Sequence, residues 1–247
     1  MPELPERSLQ DKIAIVTGAS SGIGRAIALH LAHNGAEVCL VARRRDALEE
    51  VASKVHAGGG RARVFAADWT SDQDVHTLVQ SIQQDFGRAD VLVVCGGTMF
   101  HGRLEQAPLE QLDLQYRANF RGPYALIQLL IPLLRRQQGQ IVFTNSSAAL
   151  RSPAAVGQYA AMQAGLRAVA DSLRDEVNAD GIRVLSVYLG RTATPRMAAL
   201  FEREGRSYRP ELLLQPEDVA AMVTCALSLP RTAEVTDISM RPMLKSY

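Results

Sequence analysis

The chain has 247 residues, of which 47% are hydrophobic and 21% charged, and its formal net charge is +1. That size and balance suit a single α/β domain with a full core and leave no electrostatic footprint for nucleic acid or a strongly acidic partner. No apolar run reaches the length of a membrane span, and the cysteines, Cys39, Cys95 and Cys225, are too scattered for a disulfide framework or a paired metal-ligand set.

Met1 to Gln10 is polar, carries two prolines and lacks the basic start and apolar middle of a signal peptide. It reads as a frayed lead-in, and the expected location is cytoplasmic, with free thiols and no metal. The first strand is IAIVT at 13–17, followed by a glycine-rich turn and a helix over 23–33. A second strand at 38–42 leads to a helix over 45–56, and a third at 63–67 to a helix over 72–86. Strands at 91–94, 141–144, 183–187 and 235–240 follow, interleaved with helices over 110–137, 158–179 and 216–228. Gly35 and Gly181 fall where C-terminal caps belong, and Ser71 with Asp74 resembles a capping box. Most of the strands are rich in Val and Ile without polar alternation, the pattern of strands buried on both faces. The expected fold is a Rossmann-like, doubly wound, mostly parallel seven-stranded sheet flanked by helices, one domain over 1–247. The irregular stretch at about 190–215 reads as a flap over a site.

Thr17-Gly18-Ala19-Ser20-Ser21-Gly22-Ile23-Gly24 joins the first strand to the first helix. Glycines there let backbone N–H groups approach a pyrophosphate, and the helix N-terminus favours the anion. A plain tight turn is the alternative, and the position after the first strand of an alternating chain favours the nucleotide. Arg43-Arg44-Arg45 follows the second strand, where an acidic residue would bind a ribose 2′-hydroxyl and an arginine a 2′-phosphate. NADP(H) is therefore favoured over NAD. Asp68, followed by Trp69 after the third strand, reads as an adenine contact or as a turn residue at a helix start.

Taken together, these residues resemble the short-chain dehydrogenase/reductase family, in its branch of about 250 residues, from about residue 9 to the end. The resemblance rests on TGASSGIG at 17–24, Asp68, Asn119 in ANFRGP, Ser146 in TNSS, and Tyr159 thirteen residues later. It implies hydride transfer between nicotinamide and the carbon of a small-molecule carbonyl or alcohol substrate. Tyr159 would be the general acid, Ser146 would hold the substrate oxygen, and Asn119 would hold a water in the proton path. The implied cofactor contacts are Gly18, Ser20, Ser21, Gly22, Ile23, Gly24, Arg43, Arg44, Asp68, Trp69, Gly96, Tyr159, Gln163, Gly190 and Thr192, with Thr194 as a second candidate for the nicotinamide amide. A homodimer or homotetramer is implied in the same way.

Three departures from the family pattern cluster at the nicotinamide end. The motif YxxxK is Tyr159-Ala160-Ala161-Met162-Gln163, so a glutamine stands where the family has lysine. A charge about 5 Å away, at an effective dielectric of about 20, is worth about 3 kcal/mol, or about two pKa units on the tyrosine. Glutamine can bond ribose hydroxyls but supplies no charge. Arg167, one turn further, is the nearest candidate substitute. The other departures are Val94-Cys95-Gly96-Gly97 after the fourth strand and Leu189-Gly190 after the sixth. Two readings follow: an NADP(H)-dependent oxidoreductase of altered activity, or a non-catalytic NADP(H)-binding or regulatory protein. Met197, Leu200, Phe201, Tyr208 and residues 212–214, facing Met99, Phe100 and His101, would give an apolar substrate lining or simply pack the flap.

Overall fold

A computed structural model describes residues 8–244 of the chain. Seven strands form one parallel sheet in the order β3-β2-β1-β4-β5-β6-β7. They are β1 (Ile13–Thr17), β2 (Glu37–Ala42), β3 (Arg61–Ala66), β4 (Val91–Val94), β5 (Gln140–Ser146), β6 (Arg183–Leu189) and β7 (Asp237–Met240). The helices are α1 (Gly22–His33), α2 (Arg45–Ala57), α3 (Asp72–Phe86), α4 (Leu109–Tyr116), α5 (Gly122–Arg135), α6 (Gly157–Val177), α7 (Pro195–Arg203) and α8 (Pro216–Leu227).

The sheet divides two apolar cores. Along β1, Ala14 and Val16 enter the core that contains residues of α1, α2 and α8, while Ile13 and Ile15 enter the core of α3, α5 and α6. Both faces of the strand are covered, so a polar alternation would bury polar groups at cost. Only the sheet edges alternate: β3 and β7 each carry exposed positions. The cores also fix the thiols. Cys39 lies inside the α3, α5, α6 core, and burial pushes its pKa far up.

Several expected boundaries shift. Residues 110–137 do not make one helix. A π-helical segment, Arg117–Arg121, separates α4 from α5, a wide turn of the kind that collects at functional sites. At Ser71 the hydroxyl accepts from Asp74 N–H, but the return arm of a capping box is absent, because Asp74 Oδ2 accepts from Asp68 N–H instead. The segment 190–215 contains α7 and a short 3-10 turn at Pro210–Leu212. Gly35 and Gly181 do adopt positive φ, 95° and 73°, past the ends of α1 and α6. Of the lead-in, residues 1–7 lie outside the described residues. Leu9 is not frayed: it is buried in the core, and its N–H bonds Asn34 carbonyl.

Candidate active site

Strand order reverses between β1 and β4, and there the turns at the carboxyl ends of the two strands diverge. In open α/β sheets ligands bind at this point. A cleft of about 1160 Å³ opens there. It runs from the β1–α1 turn, past Arg43 and Arg44, to Ser146 and Tyr159.

At one end, Gly18 has φ +62°, and a Cβ on it would stand 2.5 Å from Cys95 carbonyl. Only glycine lets β1 turn so close to the strand beside it. Ser21 caps α1 without a side-chain bond to the helix, so the first N–H groups of α1 remain open toward the cleft. Gly18, Ser20, Ser21, Gly22, Ile23 and Gly24 all line it. Thr17 braces this corner: its hydroxyl accepts from Cys95 N–H at 2.8 Å and lies 2.9 Å from Cys95 carbonyl. That bond ties the end of β1 to the turn after β4. Cys95 itself is buried, which raises its pKa.

Arg43 and Arg44 line the cleft, and neither guanidinium has a partner among the described residues. Arg45 does not line it and pairs instead with Glu49 on α2 at 3.6 Å. Asp68 lines the cleft and is also a turn residue, since its Oδ1 accepts from Thr70 N–H and hydroxyl at 2.9 and 2.8 Å. Trp69 lies alongside, and a Cβ on Gly96 would meet its ring at 3.0 Å.

At the other end, Ser146 closes β5 and Tyr159 stands in the first turn of α6. Both line the cleft with Gln163, one turn further on. Gln163 is 5% exposed and presents itself to the cleft. Asn145 anchors this corner by donating to Gln163 carbonyl and accepting from Ser146 N–H. Arg167 does not turn back toward Gln163. It pairs with Asp171 at 3.7 Å and lies over the Tyr188 ring.

Asn119 sits in the π-helical segment, 2% exposed, and does not line the cleft. Its amide accepts from Thr98 N–H and donates to Thr98 carbonyl, both at 2.7 Å. The side chain is therefore taken up by the backbone after β4. Gly190 and Thr192 line the cleft, with the Thr192 hydroxyl donating to Gly190 carbonyl at 3.1 Å. Thr194 caps α7 through Met197 N–H and approaches the β1–α1 turn at Gly22.

The expected apolar lining is only partly present. Met99, Met197 and Leu200 face the cleft. Phe201 and Leu213 are buried, with Tyr208 edge-on to Phe201 at 5.7 Å, and Leu214 belongs to the core that contains residues of α1 and α8. Two contacts pin that segment to the loop after β4: Arg196 donates to Gly97 carbonyl at 3.0 Å, and His101 meets Glu204 at 3.0 Å. Arg117, Arg151, Arg191 and Arg196 also line the cleft. Sequence reasoning missed all four, although Arg151 stands in the short connection between Ser146 and Tyr159 and was findable there.

Among the described residues, no helix is long and apolar enough to cross a membrane. The family model for short chain dehydrogenases matches residues 12–205. A glycine betaine reductase of Emericella nidulans is 33% identical over 244 residues. The match spans 97% of this chain but only 19% of that protein. An uncharacterized oxidoreductase of Staphylococcus epidermidis is 29% identical, over 95% of this chain and 99% of its own length. Among solved structures, L-sorbose reductase of Gluconobacter frateurii, complexed with NADPH and L-sorbose, superposes with a TM-score of 0.88 at 28% identity, covering 98% of this chain and all of that one. An alcohol dehydrogenase of Thermococcus sibiricus, complexed with 5-hydroxy-NADP, gives 0.86 at 27% identity, covering 95% and 97%. The fold, the glycine turn and the matched span agree: the chain belongs to the short chain dehydrogenase family.

Proposed function

We propose that this protein is an NADPH-dependent carbonyl reductase in which Tyr159 acts without a neighbouring lysine. One observation carries the reading: a single cleft joins an anion-ready turn and two unpaired arginines at one end to Ser146 and Tyr159 at the other. The NADP-bound relatives support the choice of cofactor. The residues fit the group. The open N-terminus of α1 and the Gly18 turn suit a pyrophosphate. Arg43 and Arg44 suit a 2′-phosphate, which NAD lacks. The Gln163 amide at the cleft wall suits ribose hydroxyls.

Bound there, the cofactor supplies the hydride. The chain's own residues supply the rest. The Ser146 hydroxyl holds the substrate oxygen beside Tyr159. The Tyr159 hydroxyl gives its proton to the oxygen as the alcohol forms. Reduction uses the Tyr159 hydroxyl as a proton donor, a role that tolerates glutamine at 163. Alcohol oxidation needs the tyrosinate and suffers from the missing charge. The segment 190–215 serves as the flap, closed against the β4 loop through Arg196 and His101.

The test follows NADPH absorbance with ketones, aldehydes and quinones, using wild type, Tyr159→Phe and Gln163→Lys. Turnover by wild type that Tyr159→Phe abolishes supports the reductase. Activity confined to Gln163→Lys, with ordinary NADPH binding by wild type, overturns it in favour of a binding protein.

A further inference from the structure

The whole chain is nearly neutral, at +1, yet its cleft is not. Arg43, Arg44, Arg117, Arg151, Arg191 and Arg196 line it, and among the described residues Asp68 is its only carboxylate. Focused positive potential in a cleft gathers anions. The phosphates of a dinucleotide account for Arg43, Arg44 and the start of α1. Arg196 is engaged by Gly97 carbonyl, and Arg191 lies near Glu204 and over the Phe201 ring. Asp68, at the other end, is turned to Thr70.

Arg151 is different. It lies in the connection between Ser146 and Tyr159, whose two ends carry the groups that would meet the substrate oxygen. Among residues 147–158 it is the one charged side chain. Its backbone N–H bonds Ser147 carbonyl, which starts the turn, while its guanidinium has no partner among the described residues. Pro153 and Val156, from the same connection, line the cleft beside it. On the neighbouring strand Ser146 is in register with Leu189, and Arg191 follows two residues later. Arg151 and Arg191 thus stand near adjacent strand ends at the substrate side, where Arg191 is already paired with Glu204 at 4.0 Å.

We propose that the substrate is an anionic carbonyl compound, and that Arg151 binds its carboxylate or phosphate. This rests on the reductase reading above and names the substrate class. A guanidinium offers paired N–H donors that match either oxyanion. The anion is untouched by the reaction; it orients the carbonyl between Ser146 and Tyr159. This class replaces the apolar substrate that the Met- and Leu-rich flap suggests, because most of those side chains are spent on packing the flap.

The experiment compares 4-formylbenzoate with its methyl ester, and 4-formylphenyl phosphate with 4-methoxybenzaldehyde, as substrates with NADPH. The anion in each pair is expected to have the higher kcat/KM by about tenfold or more, mainly through KM. Which pair shows the larger ratio distinguishes carboxylate from phosphate. In Arg151→Gln the ratio is expected to fall to near one, and Arg151→Lys is expected to restore part of it. Equal or better turnover of the neutral partner overturns the proposal, as does a ratio that follows Arg117→Gln rather than Arg151→Gln. If no aldehyde is reduced, calorimetry with benzoate and phenyl phosphate on the NADPH-saturated protein separates the two claims. Binding lost in Arg151→Gln leaves the anion site standing while the reductase reading fails. Absent binding, or binding indifferent to Arg151, overturns the anion site.

Discussion

Asn119 grips Thr98 at both backbone groups, accepting from its N–H and donating to its carbonyl, each at 2.7 Å. The grip depends on Gly97, where φ is +125° and any Cβ would collide with Asn119 Oδ1. It fixes the loop after β4 against the π-helical turn, and so positions one wall of the cleft. Replacing Asn119 by Ala leaves both Thr98 groups unpaired. The expected loss is about 2 kcal/mol of stability, read by urea titration, with a fall in kcat/KM. Asn119→Asp keeps the acceptor and loses the donor, so an intermediate loss is expected.

A second expectation concerns Tyr159 and Gln163. Alcohol oxidation needs a base at the Tyr159 oxygen, so Gln163→Lys, which places a cation one turn away, is expected to raise kcat/KM for NADP-linked oxidation by about tenfold or more while changing carbonyl reduction far less. The measurement is kcat/KM in the two directions for wild type and Gln163→Lys. Equal changes in both directions would contradict the role given to Tyr159.

Cofactor choice has its own test. Trp69 is the chain's single tryptophan and lines the cleft, so its fluorescence reports nucleotide binding. Replacing Arg43 and Arg44 together by Ala is expected to weaken NADPH binding by about 10- to 100-fold and NADH binding far less. Equal losses for the two nucleotides would detach these arginines from the 2′-phosphate.

Much of this was legible in the sequence. The buried strands betrayed themselves by runs such as Ile13–Thr17, because a sheet covered on both faces leaves no polar alternation to read. The glycine turn, Ser146, Tyr159 and Gln163 gather in one cleft because their places are set by strand ends, which the alternating pattern locates. What was not legible arises between segments. The break between α4 and α5 falls at Asn119, whose side chain bonds Thr98, twenty-one residues away in sequence. Thr17 braces the turn after β4 through a bond to Cys95, seventy-eight residues later. Of the cleft arginines that were missed, Arg151 could have been read from its place between Ser146 and Tyr159, whereas Arg117, Arg191 and Arg196 reach the cleft only through the fold.

A fourth expectation follows from His30, whose Nδ1 lies 2.9 Å from Thr224 Oγ1, linking α1 to α8. Burial, and to a lesser degree His33, lowers its pKa from 6.5. The unfolded chain therefore takes up this proton first. The stability concerned is present above pH 6.5 and is lost as pH falls through the lowered native value. Between about pH 7.5 and about pH 5.5, the Tm of the wild type is expected to fall more than that of His30→Asn. Parallel slopes would remove His30 as the cause.

The strand order has a consequence for synthesis on the ribosome. β1 pairs with β2 on one side and with β4 on the other, and β4 begins only at Val91. At about 5–20 residues per second, a nascent chain spends several seconds with β1, β2 and β3 made and one apolar edge of β1 unpaired. An open edge of that kind invites pairing with other chains. A fragment ending at residue 90 is expected to aggregate on release, and the full-length chain to depend on a chaperone during that interval.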